Sequence, residues 1–153
     1  MGKFDFVEEA MLSSGVSRQF YKVQQKPGKP FWFGNRGDKL VFAFPGNPVS
    51  TFLCLYRYFI PWLQSCLGLR ARKMYAVLAS DIWFKPSLQY FLQVKLLFSE
   101  TGILEAVPLA GNGSGDFASL ADSDAFIELP AAGTQFKKGE VYRVWPHRSL
   151  MIE

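Results

Sequence analysis

The spacing of apolar residues changes near residue 70, and this change divides the chain into two kinds of structure. The apolar residues before it recur at helical spacing, as in Phe52, Leu55, Phe59 and Leu63. After it, short apolar runs separated by turn residues predict strands. These predicted strands are residues 74–80, 90–99, 103–109, 125–129 and 141–146. We therefore expect an α/β unit over residues 1–70 and a small all-β unit over residues 73–153.

An apolar run at residues 40–44 precedes the helix and ends at Pro45-Gly46-Asn47-Pro48. It lacks polar alternation, which is typical of a parallel strand that is covered on both faces. Asn47 suits the N-cap position, and Pro48 suits the first helical turn, where its missing N–H has no cost. Pro61 should kink or divide the helix. Further strands are predicted at residues 20–25 and 31–33, and a short helix at residues 4–12.

The α/β unit is too small to form a complete parallel sheet. It offers three strands and two helices, whereas such a sheet needs crossover helices on both faces. We expect the missing half to lie N-terminal to this chain. The chain would then be a fragment of a longer protein, separated from that protein's N-terminal domains.

Composition excludes several classes of protein. Hydrophobic residues make up 49% of the chain and aromatic residues 16%, which argues against disorder. The longest apolar region is interrupted by Arg57 and Pro61 and does not resemble a membrane span. The absence of a signal-peptide core, with Cys54 and Cys66 in the predicted helix, predicts a cytoplasmic protein. The net charge of +4 suits an anionic small molecule as well as nucleic acid.

Lysines dominate the first candidate site, the turn Lys26-Pro27-Gly28-Lys29-Pro30. Two prolines and a glycine make this turn rigid, and two ammonium groups project from it. Lys22 has the same parity as Lys26 along the predicted strand, so its side chain should point to the same side. Three lysines on one rim would bind phosphate or another oxyanion. The alternative is a solvated basic loop.

The second candidate site, residues 45–50, joins the end of a strand to the start of a helix. Ligands of open α/β sheets bind at the carboxyl ends of strands, and helix N-termini present free N–H groups to anions. Gly46 would let a ligand approach the backbone closely. The alternative is a well-capped helix without a ligand.

Two weaker candidates complete the set. Residues 111–115 form a glycine-rich loop in which backbone N–H groups and the Ser114 hydroxyl could meet an anion; the alternative is a flexible linker. The Asp5 carboxylate, near several lysines, could position magnesium or polarise a reacting oxygen; the alternative is a solvated helix acid. His147 is given no role. No Ser-His-Asp set or Cys/His metal cluster is present, which argues against a hydrolase or a zinc enzyme.

Four segments, the first three in this order and spacing, resemble the molybdopterin molybdenumtransferases, whose eukaryotic relative is gephyrin. They are residues 2–7, 26–31, 45–50, and the loop 113–115 with 119–121. The resemblance covers nearly the whole chain. It implies an enzyme of molybdenum cofactor biosynthesis that takes adenylylated molybdopterin and molybdate, releases AMP and requires magnesium. It also implies the final third of a three-layer α/β molybdopterin-binding domain, a C-terminal β-barrel, and a homodimer with its site between that α/β domain and the partner's barrel.

The resemblance also assigns roles by motif position. It makes Asp5, Lys22 and Lys26 catalytic, with Asp5 a possible magnesium ligand. The positions that match substrate-binding residues are Lys29, Pro45, Gly46, Asn47, Pro48, Ser50 and Ser114. The lysines would neutralise the charges of molybdate and of the pyrophosphate linkage. Where the family often has arginine in the first long barrel strand, this sequence has Gln93, with Lys95 nearby on the same face.

Two other functions stay open. A basic barrel with exposed aromatic residues can bind an oligonucleotide, which predicts Tyr90 on one face with Tyr75 or Trp83. That function leaves both proline motifs unexplained. A non-catalytic dimerisation or scaffold unit would instead use exposed Phe and Trp residues as an interface. The enzyme hypothesis requires that the turn at Lys26 and the turn at Asn47 meet in space.

Overall fold

A computed structural model describes residues 6–70, 72–109 and 117–148. The first part combines short helices with a three-stranded sheet. Its elements are α1 (Val7–Ser13), β1 (Ser17–Tyr21), β2 (Gln25–Lys26), β3 (Trp32–Arg36), β4 (Lys39–Ala43), α2 (Pro48–Cys54), a π-helical turn (Leu55–Phe59) and α3 (Ile60–Cys66). The second part is mostly strand. Its elements are β5 (Met74–Leu78), β6 (Ile82–Trp83), β7 (Gln89–Phe98), β8 (Leu104–Pro108), α4 (Phe117–Asp122), β9 (Ala125–Leu129), β10 (Gln135–Phe136) and β11 (Val141–Pro146).

The second part confirms the predicted small β-barrel. Strands are ordered β7-β8-β5-β11-β9, and pairing of β9 with β7 closes the barrel. Its core is apolar because alternate residues of each strand point inward. The largest fully buried members of this core are Phe136, Leu78, Ile127, Leu129, Val94 and Val144. β6 and β10 pair with each other outside this order, and the sequence predicted neither of them.

The three-stranded sheet corrects one expectation. Its order is β1-β3-β4, and both pairings are antiparallel. The prediction of a parallel strand at residues 40–44 is therefore wrong. The pair Arg36–Lys39 closes a two-residue turn between β3 and β4, and a turn this short can join only antiparallel strands. The strand is also less buried than predicted, since Leu40 is 42% exposed.

The helix after the second candidate site follows its sequence signals. Asn47 is the N-cap, and Pro48 lies in the first turn. Pro61 divides the helix, as predicted, because proline offers no N–H and crowds the preceding turn. The division takes the form of the π-helical turn Leu55–Phe59 immediately before α3. Gly68, with a φ of +70°, follows the end of α3.

Helix α2 packs on the outside of the barrel. Val49 and Leu53 form a buried cluster with Phe91, Phe126 and Trp145 from β7, β9 and β11. The two parts of the chain therefore share apolar core.

Cys54, in α2, is buried, and Cys66, at the end of α3, is exposed; both are free. Within the ranges that the structure describes, no helix is long and apolar enough to cross a membrane. A cytoplasmic location stays a prediction.

Candidate functional site

The two proline-glycine turns meet in one cleft of about 430 Å³. The residues that line it are Gln25, Lys26, Pro27, Gly28, Lys29, Pro30, Pro45, Gly46, Asn47, Ser50 and Leu88. The cleft thus brings together six of the predicted site residues, namely Lys26, Lys29, Pro45, Gly46, Asn47 and Ser50. Pro48 and Lys22 are not among its lining residues. Lys26 and Lys29 are the only charged side chains among these described lining residues.

The lysine loop, residues 22–31, is closed by backbone hydrogen bonds. The Lys22 N–H donates to the Phe31 carbonyl (2.9 Å), and the Val23 N–H donates to the Lys29 carbonyl (2.9 Å). Within the loop, the Lys26-Pro27 peptide is cis. β2 pairs in parallel with β7, which aligns Lys26 with Tyr90 of the barrel. The Lys26 ammonium lies 5.7 Å from the centroid of the Phe84 ring, within the range of a cation–π contact.

The second turn, residues 45–50, offers fewer free backbone N–H donors than a helix N-terminus normally does. Pro48 has no N–H. The Asn47 side-chain oxygen accepts hydrogen bonds from the Ser50 N–H (3.1 Å) and the Ser50 hydroxyl (3.3 Å), and the Thr51 N–H donates to the Asn47 carbonyl (2.9 Å). Lys26 and Lys29 are therefore the main source of positive charge in the cleft.

Lys22 does not follow the predicted geometry. The single strand expected at residues 20–25 is interrupted, because β1 ends at Tyr21 and Lys22 has a φ of +68°. A positive φ turns the chain out of the extended conformation, so the parity argument that aligned Lys22 with Lys26 is wrong. The Lys22 ammonium lies 4.8 Å from the centroid of the Tyr21 ring.

Comparisons with known proteins show the family to which the chain belongs. Residues 75–147 match the family described as the MoeA C-terminal region (domain IV). A molybdopterin molybdenumtransferase from Synechocystis is 41% identical over 143 residues, which cover 92% of this chain and 34% of the relative. The chain belongs to the MoeA family.

Two further similar proteins support this assignment. The molybdenum cofactor synthesis protein cinnamon from Drosophila melanogaster is 30% identical over 149 residues, covering 93% of this chain and 25% of its own length. The structure of the MoeA protein from Pyrococcus horikoshii superposes with a TM-score of 0.74 at 26% identity, over 92% of this chain and 34% of that one. The chain thus spans about one third of the length of the first of these MoeA relatives.

Some predicted residues cannot be assigned to the cleft of this MoeA-family chain. Asp5 and Ser114 lie outside the described residues. Gln93 accepts a hydrogen bond from the Ser119 hydroxyl (2.7 Å), and Lys95 is exposed. Neither Gln93 nor Lys95 lines the cleft.

The described lining of the cleft does not fit a magnesium ion. Magnesium is bound by carboxylate oxygens together with substrate phosphates and water. The cleft presents amide and hydroxyl oxygens from Gln25, Asn47 and Ser50, but no carboxylate among its described lining residues. Within residues 6–70, 72–109 and 117–148, no group of three or more His, Cys, Asp or Glu residues could hold a metal.

The aromatic face expected of an oligonucleotide-binding barrel does not form around Tyr90. Its ring stacks on Phe84 with centroids 3.9 Å apart and packs against the barrel core. Tyr75 and Trp83 are 52% and 68% exposed, but they lie on strands of different sheets. One face of the Tyr90 ring is therefore covered by Phe84.

Sequence reasoning missed two residues of the cleft. Leu88 precedes β7 and reaches the cleft through the pairing of β2 with β7, a non-local contact that leaves no mark in the sequence. Gln25 is 3% exposed and directly precedes Lys26. The available signal was that Gln25 is polar although it occupies the position of a buried strand residue, where a polar group needs hydrogen-bond partners.

Proposed function

We propose that the cleft forms part of the site at which MoeA-family enzymes insert molybdenum from molybdate into adenylylated molybdopterin, with release of AMP. The observation that carries this proposal is the meeting of the Lys26–Pro30 turn with Pro45, Gly46 and Asn47 in one concave site. Small-molecule sites are concave and combine apolar walls with a few convergent polar groups. Three prolines (Pro27, Pro30 and Pro45) and Leu88 supply the walls here.

The role that we propose for Lys26 and Lys29 is electrostatic. Molybdate and the pyrophosphate linkage of the adenylylated pterin are both anionic, so bringing them together requires positive charge in a site partly screened from water. The two ammonium groups have no carboxylate among the described lining residues to neutralise them. Their charge is thus free for an anionic ligand. The catalytic roles of Asp5 and Lys22, and the binding roles of Pro48 and Ser114, stay predictions.

Magnesium remains a separate proposal. The resemblance implies a magnesium-dependent reaction, and Asp5 is the candidate ligand. Because the described lining residues offer no carboxylate, we derive no step through the ion. The proposal predicts that activity of an assembled enzyme is lost on chelation and restored by added magnesium.

We also propose that the N-terminal part of a MoeA-family enzyme covers the three-stranded sheet. β1 and β4 are the outer strands of this sheet as described, so each leaves one edge for another strand. Phe20 on β1 and Leu40 on β4 are 38% and 42% exposed. Under this proposal, residues 1–70 complete an α/β domain with that part and residues 73–153 form the barrel domain.

A homodimer is the proposed assembly, with the site between the α/β domain of one subunit and the barrel of its partner. A dimer of this kind predicts a sedimentation mass twice that of the chain. A dimeric enzyme and a dimeric non-catalytic scaffold would have the same mass and would differ only in ligand binding. Sedimentation and ligand binding must therefore both be measured.

Isothermal titration with pyrophosphate tests the oxyanion site directly. Lys26→Ala and Lys29→Ala should each weaken binding about tenfold or more, because a charge-assisted hydrogen bond contributes about 1.5–3 kcal/mol. Lys138→Ala is the matched control, since it removes the same charge from an exposed barrel turn. Equal affinity of all four proteins would refute the site.

Activity can be tested in a chimera in which this chain replaces the matching part of the Synechocystis relative. Molybdenum insertion should survive Lys26→Arg in part and be lost in Lys26→Ala, because arginine keeps the positive charge. Full activity in both variants would rule out an electrostatic role for Lys26.

A further inference from the structure

The side chain of Gln25 connects the lysine loop to the helix that follows the second turn. Its amide nitrogen donates to the Pro27 carbonyl (3.1 Å) and lies 3.9 Å from the Cys54 sulfur. Its amide oxygen accepts a hydrogen bond from the Tyr58 hydroxyl. Gln25 is only 3% exposed. Both ends of a buried amide are thus bonded, as a stable arrangement requires.

Tyr58 reaches Gln25 from the π-helical turn. A π-turn inserts one extra residue into the helix and changes which side chains face a given direction, and such turns are frequent at functional sites. Burial raises the pKa of Tyr58 to about 12, so its hydroxyl stays protonated and can donate to Gln25 at neutral pH. The Tyr58 ring also stacks on Phe31, with centroids 4.8 Å apart. The donor is therefore held in place by packing as well as by its hydrogen bond.

These contacts fix the backbone on both sides of Lys26. Gln25 precedes Lys26, and the carbonyl that accepts its hydrogen bond belongs to the residue after Lys26. We propose that Gln25 and Tyr58 are positioning residues that hold the Lys26 ammonium at the cleft. Gln25 lines the cleft, but both ends of its amide are bonded to protein groups, so the two residues act through Lys26. This inference rests on the proposed oxyanion site.

Tyr58→Phe removes the hydroxyl and keeps the ring that packs on Phe31. Because the Gln25 oxygen then lacks its partner, pyrophosphate binding should weaken about fivefold to tenfold. Tyr75→Phe is the matched control, since Tyr75 is exposed on the barrel and does not line the cleft; its affinity should equal that of the wild type.

A double-mutant cycle separates positioning from general loss of structure. In the Lys26→Ala background, Tyr58→Phe should cause no further loss of pyrophosphate affinity, because the group that it positions is absent. A purely structural effect would weaken binding by the same factor in both backgrounds. That outcome would overturn the positioning role.

Gln25→Glu offers a second, pH-dependent readout. A protonated carboxyl group can copy the amide, donating to the Pro27 carbonyl and accepting from the Tyr58 hydroxyl, whereas the carboxylate cannot donate. The ratio of variant to wild-type affinity should therefore approach one at about pH 5 and fall about tenfold at about pH 8, since burial raises the pKa of a carboxyl group. A ratio independent of pH would count against the proposal.

The two proposals fail in different ways. If the wild-type chain does not bind pyrophosphate, or binds it equally well after Lys26→Ala, both the oxyanion site and the positioning role are overturned. If binding depends on Lys26 but Tyr58→Phe and Gln25→Glu bind as the wild type does, only the positioning role is overturned.

Discussion

Gly28 places the lysine loop close to helix α2, and its replacement by alanine should destabilise the protein. A Cβ atom at this position would lie 2.7 Å from the Gln25 amide nitrogen and 3.1 Å from the Cys54 sulfur. Both neighbours are buried, and the Gln25 side chain is bonded at both ends. Neither can move away freely. The φ of +87° at Gly28 adds strain for any L-residue.

A control separates the contact from the strain. Gly37 also has a positive φ, +56°, but nothing lies within 4 Å of an added Cβ atom. Strain alone should lower the free energy of unfolding of Gly37→Ala by about 1–2 kcal/mol. Overlap in the core adds about 1–3 kcal/mol to the same strain in Gly28→Ala. The difference between the two variants measures the contact of the loop with Gln25 and Cys54.

Urea unfolding followed by tryptophan fluorescence gives both free energies. Gly28→Ala should also weaken pyrophosphate binding, because the alanine side chain displaces the loop that carries Lys26 and Lys29. Gly37→Ala should bind as the wild type does, since Gly37 lies in the β3–β4 turn away from the cleft. Equal losses of stability in the two variants would refute the close approach of the loop to α2.

Two further predictions concern the barrel. Glu128 pairs with Arg57 (3.5 Å), so Glu128→Gln should lower the free energy of unfolding by about 2–3 kcal/mol. The control Glu100→Gln, in the exposed β7–β8 turn, should change it by less than about 0.5 kcal/mol. Similar urea midpoints for both variants would contradict this prediction. Burial, and then the charge of Arg148, lower the pKa of His147 from 6.5 to about 4. The unfolded state therefore binds the proton first, and stability should fall by on the order of 1–2 kcal/mol as the pH drops through this window, with solvent screening included. Urea unfolding of His147→Gln should show a smaller fall, and an identical pH profile would exclude His147 as its source.

The barrel could be predicted from the sequence because its signals are local. The apolar pattern of residues 125–129 and 141–146 coincides with β9 and β11, and the other three predicted strands agree to within about two residues at each end. β6 and β10 could not be predicted in this way. Each has two residues, too few to show a period, and their pairing is non-local.

The direction of β4 was predictable, but from a different signal. Its apolar run is typical of a parallel strand with two covered faces. Instead, aromatic rings cover one face, where Phe42 contacts Phe59 and Trp62 at centroid distances of 5.4 and 5.2 Å. The turn between Arg36 and Lys39 was the better guide, because turn length limits strand direction while burial does not.

At the candidate site, the sequence predicted the two turns but not all of their neighbours. Each turn shows a local Pro-Gly signal, whereas their proximity was expected only from the resemblance to the molybdopterin molybdenumtransferases. The positive φ of Lys22 could not be predicted, because non-glycine residues rarely adopt it and nothing in the sequence marks the position. Leu88 was equally hidden, since it reaches the cleft only through the pairing of Gln25 with Gln89.

The π-helical turn connects the barrel to the lysine loop through consecutive residues. Arg57 pairs with Glu128 of the barrel, which also accepts a hydrogen bond from the Trp145 indole (2.7 Å). The next residue, Tyr58, donates to Gln25 of the loop. Because one helical turn carries both contacts, a change that releases Arg57 from the barrel alters the support of Tyr58 as well. Glu128→Gln should therefore weaken pyrophosphate binding although Glu128 does not line the cleft, and unchanged affinity would show that the turn holds Tyr58 without help from the barrel.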